Sequence, residues 1–295
     1  MRKVLLAVLG LGTLVAGCTA AQAGEGHPVV VELYTSQGCS SCPPADALLA
    51  KLAKRKGLIA MSLPITYWDM LGWKDTLASE ANTRRQKAYA SALGRGGVYT
   101  PQMIIDGTAD AVGSRAEQVE DAIAAAEDAQ EEAADQAEEA KDIAEEHAEE
   151  GILPVSTRAY PPAPPIPPVP PHAAWSVDVG LTQNSGTMHV AIAAAPRAVK
   201  RSKPDATIWM FSLRSAVTVH IGAGENENRT MTYRNVVGDI KAVGRWKGDA
   251  ISLDLPRADP KTPRGDGTVV VVQQSGYGRV IGAAYLGHVD YYAQR

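Results

Sequence analysis

The chain has 295 residues and a formal net charge of −4, with 45 % hydrophobic and 21 % charged residues. That length accommodates two domains, and the slight acidity argues against a nucleic-acid partner. The composition is otherwise ordinary apart from a single phenylalanine and 19 prolines.

Residues 1–23 read as a signal peptide. Arg2 and Lys3 precede an apolar run from Val4 to Ala16 that is too short to span a bilayer. Two cleavage patterns follow it. Val15-Ala16-Gly17-Cys18 fits a bacterial lipobox, in which Cys18 would be lipidated and become the mature N-terminus. Ala21-Gln22-Ala23 fits the small-residue site of ordinary secretion. Either way Cys18 is lipidated or discarded, so Cys39 and Cys42 remain as the thiols that can pair. The expected location is the periplasm or the exterior, where disulfides persist. Contact with a membrane is expected only through a lipid on Cys18.

Residues 27–126 form the first expected domain. Val29 to Thr35 is a buried strand by its unbroken apolar character. It runs into Ser36-Gln37-Gly38-Cys39-Ser40-Ser41-Cys42-Pro43, and a helix begins there. Two cysteines three apart at a strand-to-helix turn form a redox pattern of thioredoxin type. Cys39 is expected at the helix mouth, exposed, where unpaired N–H groups and the positive dipole end favour a thiolate. Cys42 is expected behind it, placed to resolve a mixed disulfide. Two other readings of the pair stand beside this one. It can be a fixed structural disulfide, or it can bind Cu(I), which two thiolates suit. Zinc would need two further ligands, and no matching pair follows. No metal and no other cofactor is expected.

The helix after the cysteines has its apolar stripe at Ala47, Leu48, Leu52 and Ala53, and Gly57 ends it. Leu58 to Thr66 is a second strand, parallel to the first. Asp75 or Ser79 can cap a helix that runs to about Leu93. Gln102–Asp106 and Ala109–Val112 are strands, and Ser114 with Glu117 forms a capping box for another helix. The order strand, helix, strand, helix, strand, strand, helix is that of a glutaredoxin/thioredoxin-like four-stranded core. In such a core Pro101 is expected to be cis and to face the cysteines, with Thr100 offering backbone groups to a bound peptide. Trp68 and Trp73 follow the second strand and are expected as an aromatic wall beside Cys39; the alternative is that they close the core edge.

Residues 127–150 extend the last helix as an acidic arm. From Arg115 to Glu150 there are fifteen acids against two bases, a net of −13, which leaves +9 on the rest of a chain totalling −4. As one helix this stretch would reach about 54 Å. It reads as a solvated spacer, or as an arm that meets a basic patch on a partner or on its own body. Residues 151–173 are a proline-rich, semi-rigid linker. Residues 174–295 switch to short strands near 176–181, 188–194, 207–213, 217–221, 230–240, 251–255, 269–274 and 280–286. With turns at Asn184-Ser185-Gly186, Gly222–Asn228 and Gly265-Asp266-Gly267, they predict an all-β, sandwich-like domain. His189, His220 and His288 are scattered through it and form no catalytic group. The fold class expected for the whole is α+β.

Several segments together resemble a known family. They are Gln37 to Asp46, Tyr67-Trp68-Asp69 with Gly72-Trp73-Lys74-Asp75, and Tyr99-Thr100-Pro101-Gln102. Gly224-Glu225-Asn226, Arg229-Thr230 and Tyr233-Arg234-Asn235-Val236-Val237 belong with them. The combination is similar to the secreted thioredoxin-like bacterial proteins filed as domain of unknown function 1223. The resemblance implies a thioredoxin-like fold plus a β module and names no substrate. The expected function is an exported thiol–disulfide oxidoreductase acting on envelope proteins with thiols or disulfides. The alternatives are a non-catalytic envelope binding protein on the same scaffold, or Cu(I) delivery through the Cys39–Cys42 pair.

Overall fold

The computed structural model describes residues 27–149, 175–184, 186–256 and 265–287. The signal segment with Cys18, the proline-rich run 151–173 and His288 lie outside the described residues. The architecture is mixed α/β, and its frame among the described residues is one eight-stranded sheet. Strands β1 (Val29–Thr35) and β2 (Leu58–Pro64) are buried along their whole length. They pair in parallel from Val29 opposite Leu58 to Thr35 opposite Pro64. Their unbroken apolar runs require that both faces be covered. Between them runs α1 (Pro43–Leu52). A 3-10 turn at Asp69–Leu71 and α2 (Glu80–Ala92) follow, then β3 (Gln102–Ile105), β4 (Ala109–Val112) and α3 (Ala116–Glu149). β3 pairs antiparallel with both β1 and β4.

One face of this part is covered by α1 and α3. Val29, Val31 and Leu33 of β1 pack there with Leu49, Leu52, Val119 and Ile123. The other face is covered by α2, whose buried side is polar: Asn82, Thr83, Arg85 and Gln86 are all interior. What satisfies that side is a carboxylate in the middle of β1. Arg85 grips Glu32 with both Nε and Nη2, at 2.6 and 2.8 Å. Tyr89 and Tyr34 hydroxyls donate to the same carboxylate at 2.7 and 3.0 Å. Burial, the largest single influence, would lower the Arg85 pKa, but the charge and hydrogen bond of Glu32 together with Tyr89 and Tyr34 outweigh it, and the guanidinium is held above its ordinary value. Tyr89, Trp209, Phe211 and Tyr277 rings surround the guanidinium carbon at 4.9 to 5.5 Å.

The C-terminal strands depart from the expected separate sandwich. β5 (Val179–Gln183), β6 (Thr187–Ile192) and β9 (Ile251–Pro256) form a three-stranded sheet of their own, and a short helix α4 (Arg197–Lys200) follows β6. β7 (Ala206–His220), β8 (Thr230–Trp246), β10 (Gly267–Gln274) and β11 (Val280–Leu286) instead continue the first sheet. Its strand order is β11-β10-β7-β8-β2-β1-β3-β4. The seam is β8 against β2, parallel, with Val236 opposite Ser62. Asn235 has a left-handed backbone, φ 46°, and its amide donates to the Ala60 carbonyl at 2.8 Å.

Period-two alternation along β10 explains why two layers form. Val269 and Val271 join the core under α2, while Val270 and Val272 face the three-stranded sheet with Val190, Ile192 and Ile208. Two sheets do face each other, as a sandwich predicts, but one of them belongs to the whole chain. The two strands expected at 207–213 and 217–221 are also one. Arg214 and Ser215 look like a break, yet the strand runs through them, with register shifts at Ile208/Trp209 and Ser212/Leu213.

The long helix starts at Ala116, with the Arg115 carbonyl accepting from Val119, so Ser114 stands one position too early to cap it. Its acidic side meets the body through Arg55, which bonds Glu120 at 2.7 Å and Glu127 at 2.8 Å. Gln130 reaches Asp106 at 2.8 Å and Ala133 is buried, so the helix is still packed beyond residue 126.

Candidate functional site

The cysteine turn leaves the C-terminal end of β1 with its backbone tightly folded. Ser36 Oγ accepts from Gly38 N–H at 3.0 Å, and the Ser36 carbonyl accepts from Cys39 N–H at 3.2 Å. Cys42 is the residue before the first helical position, Pro43. Proline there gives up no hydrogen bond, because the first N–H groups of a helix have no intrahelical partner. The Cys42 carbonyl accepts from Ala45 and Asp46 at 2.9 and 3.1 Å. Cys39 and Cys42 form a disulfide, with their Cα atoms 5.4 Å apart. The Ser41 hydroxyl lies 3.3 Å from Cys39 Sγ.

Both sulfurs are interior. Cys42 is 0 % exposed, as expected of the second cysteine, but Cys39 is 3 % exposed, not open at a helix mouth. The turn between β7 and β8 covers the backbone of this segment. Asn226, itself buried, donates from Nδ2 to the carbonyls of Gln37 and Cys39, at 3.0 and 2.8 Å. Glu225 Oε2 accepts from Ser40 N–H at 2.9 Å. The Ser40 hydroxyl and N–H hold the Glu225 carboxyl below its ordinary value. The sequence marked this segment only as a turn within a resemblance. Nothing in spacing links positions so far apart.

The expected aromatic wall divides into two roles. Trp73 turns its indole N–H to Gln37 Oε1 at 2.8 Å. Its ring lies against the same covering turn: a Cβ on Gly222 would come within 3.1 Å of the ring, and one on Gly224 within 3.3 Å of Trp73 Cβ. Trp73 therefore seats the turn, and its indole N–H is already taken. Trp68 stands beside Gly38 and donates to Thr100 Oγ1 at 2.6 Å. The Thr100–Pro101 peptide is cis. Trp68 thus ties the Thr100 side chain to the wall next to the cysteine turn. Met70 and Leu71, between the tryptophans, are exposed.

Two carboxylates lie behind the disulfide. Asp75 accepts from Gln37 N–H at 2.8 Å and from Leu77 and Ala78 N–H at 2.8 and 3.1 Å. It anchors the cysteine turn, and Ser79 caps α2, accepting from Asn82 N–H. Burial raises the Asp75 carboxyl, against those N–H donors. Asp46 lies on α1 one helical turn after Cys42 and is buried, with the Thr35 hydroxyl near it. Burial pushes its carboxyl up to about 8, with the Thr35 hydroxyl opposing and Asp75 adding to the rise. Among the described residues no cluster of three or more His, Cys, Asp or Glu is arranged to hold a metal ion. His189 pairs with Asp254 on the outer sheet, away from this site.

The family model of DUF1223, proteins of unknown function, matches residues 30–152 and 169–273, and the chain belongs to this family. Its two matched segments include both the cysteine turn and the turn that covers it. A probable thioredoxin of Archaeoglobus fulgidus is 40 % identical over 37 residues, which are 12 % of this chain and 41 % of that relative. Among solved structures, a protein of Agrobacterium tumefaciens superposes with a TM-score of 0.63 at 28 % identity, over 90 % of this chain and 96 % of its own. HBP35 of Porphyromonas gingivalis superposes with a TM-score of 0.50 at 10 % identity, over 92 % of this chain and 79 % of its own.

Proposed function

We propose that the protein is an exported thiol–disulfide exchange protein with a thioredoxin-like core, in which Cys39 and Cys42 are the reacting pair. The observation that carries this reading is the disulfide between residues three apart, at the point where a buried strand turns into a helix. The strand order β2-β1-β3-β4 with α1 and α3 on one face and α2 on the other supports it, as does the short similarity to a probable thioredoxin. In this reading Cys39 forms the mixed disulfide with an envelope protein and Cys42 resolves it. Thr100 and Pro101, braced by Trp68, are the groups that meet the partner's chain. Residues 1–23 direct export, and Cys18 carries a lipid anchor if the lipobox is used.

The test is a Cys42→Ala variant expressed with its signal segment. Trapped mixed disulfides through Cys39, absent from Cys39→Ala, are expected. No trapped species, together with no exchange with a thiol-bearing test protein, would sink the proposal.

The burial of both sulfurs under the covering turn favours a second reading, a binding protein whose disulfide is structural. A reduction potential below about −300 mV would support that reading, because such couples resist the glutathione pool.

A further inference from the structure

The covering turn does more than exclude solvent. It takes up the polar backbone groups around the first cysteine. A thiolate at Cys39 would draw on backbone N–H groups near it, and Ser40 N–H, three residues before α1 opens at Pro43, is the donor that follows the sulfur-bearing residue directly. That N–H already donates to Glu225. A carboxylate seated there both occupies the donor and sets a negative charge beside any charge that develops on the sulfur, which disfavours the thiolate. Asn226 spans the Gln37 and Cys39 carbonyls and holds the same segment in one conformation.

We propose that Glu225 and Asn226 are positioning residues for Cys39: Asn226 locks the cysteine turn closed, and Glu225 holds Cys39 away from the thiolate form and keeps the couple reducing. The inference deepens the thiol-exchange reading and makes the C-terminal half part of the site. The redox step is a two-electron exchange. An external dithiol forms its own disulfide as the Cys39–Cys42 bond breaks. Its two protons pass to the two cysteine sulfurs, or one passes to solvent where Cys39 stays ionised. Whatever favours ionised Cys39 stabilises the reduced protein and makes the couple more oxidising.

The test uses the full-length protein, reduced with dithiothreitol and freed of it. Alkylation of Cys39 by iodoacetamide is followed against pH, with the modified peptide identified by mass. The potential is measured against dithiothreitol. In Glu225→Gln the apparent Cys39 pKa is expected to fall by a few tenths of a unit, roughly a two- to threefold gain in thiolate near neutrality. The dithiol form is expected to gain by a similar factor, and both effects should shrink at high salt. Asn226→Ala is expected to speed reduction by dithiothreitol at every pH. Should that variant not fold, Glu225→Gln decides alone.

An unchanged Cys39 pKa and potential in Glu225→Gln would overturn the inference. So would an equal shift in Asp249→Asn, a surface charge paired with Lys200 elsewhere in the chain. The outcomes separate from those of the function itself. A shifted pKa in a protein that traps no partner sinks the exchange reading and leaves the electrostatics standing. Trapping that is normal alongside an unshifted pKa does the reverse.

Discussion

The side-chain amide of Asn226 donates to the carbonyl of Cys39 at 2.8 Å, across 187 residues of sequence. A second bond from the same nitrogen reaches the Gln37 carbonyl. These bonds make the C-terminal hairpin a structural part of the cysteine turn. Replacing Asn226 with Ala leaves two inward-facing carbonyls without their donor. The expected loss of stability is about 1–3 kcal/mol, the cost of unsatisfied buried groups. Urea unfolding should show a lower midpoint with an unchanged slope. A midpoint equal to that of the wild type would mean that water replaces the amide freely and that the turn is not held shut by it.

Asp46 gives a pH signature. Its carboxyl is about 8 in the folded chain against an ordinary 3.8. The folded state therefore keeps a proton that the unfolded state has lost. The sign follows: stability falls as pH rises through that window, by up to about 1.4 kcal/mol per pH unit for this one group, and levels off above about 8. Asp46→Asn removes the titration. The variant's stability relative to wild type should climb between pH 4 and 8 and then flatten. Asp75, also raised by burial, remains in both proteins, so the difference reports Asp46 together with its interaction with Asp75. A flat difference across that range would show that the carboxyl is hydrated or paired in solution.

Much of the N-terminal half is legible in the sequence because its signals are local. Val29–Thr35, the cysteine spacing, Pro43 and Ser79 each mark a boundary within a few residues, and the strands and helices fall near where they are read. What is not legible is pairing at a distance. Nothing in 230–246 says that Val236 will sit beside Ser62, because a strand's partner is not written in its own alternation. The same limit hid the exclusion of solvent from Cys39, since the residues that cover it come from the other half. Trp73 shows a related limit. An aromatic near a site has the same composition whether it greets a ligand or, as here, bonds Gln37 and seats a neighbouring turn. Glu32 is a lone acid in an apolar run, and only the arrival of Arg85, Tyr34 and Tyr89 explains it.

That buried pair yields a third prediction. Arg85→Met strands the Glu32 carboxylate in the interior, at an expected cost of about 3–5 kcal/mol. Adding Glu32→Gln should recover part of the loss, because a neutral amide oxygen still accepts from the two tyrosine hydroxyls. Single and double variants compared by chemical denaturation measure the coupling. Strict additivity of the two losses would show that the charges do not depend on each other.

Gly107 gives a fourth. It has φ +73°, and a Cβ there would come within 2.4 Å of the Gly278 carbonyl oxygen. Its neighbour Asp106 accepts from Val280 N–H at 2.9 Å, so this turn docks the β3–β4 hairpin onto the β10–β11 turn. Gly107→Ala combines a disfavoured backbone with a backbone clash, and a loss well above about 1 kcal/mol is expected. Thermal unfolding measures it. A change within error would mean that the two turns part at no cost.

The continuous sheet leads to the last prediction, which concerns how the chain unfolds. A core cluster under α2 draws Val30, Tyr34, Ile59 and Met61 from the first half and Phe211, Leu213, Val269 and Val271 from the second. The seam adds Asn235 to the Ala60 carbonyl, and Gln273 donates to Tyr89 at 2.8 Å inside the Arg85 network. Splitting the halves would expose one side of β2 and part of that cluster. Unfolding is therefore expected as a single transition. Fluorescence should coincide with far-ultraviolet dichroism, since indoles lie in both halves, Trp68 and Trp73 in one and Trp175, Trp209 and Trp246 in the other. A fragment of residues 27–150 should unfold without a sharp transition. Two separated transitions in the whole chain, or a cooperative fragment, would instead assign each half its own folding unit and reduce the seam to a docking contact.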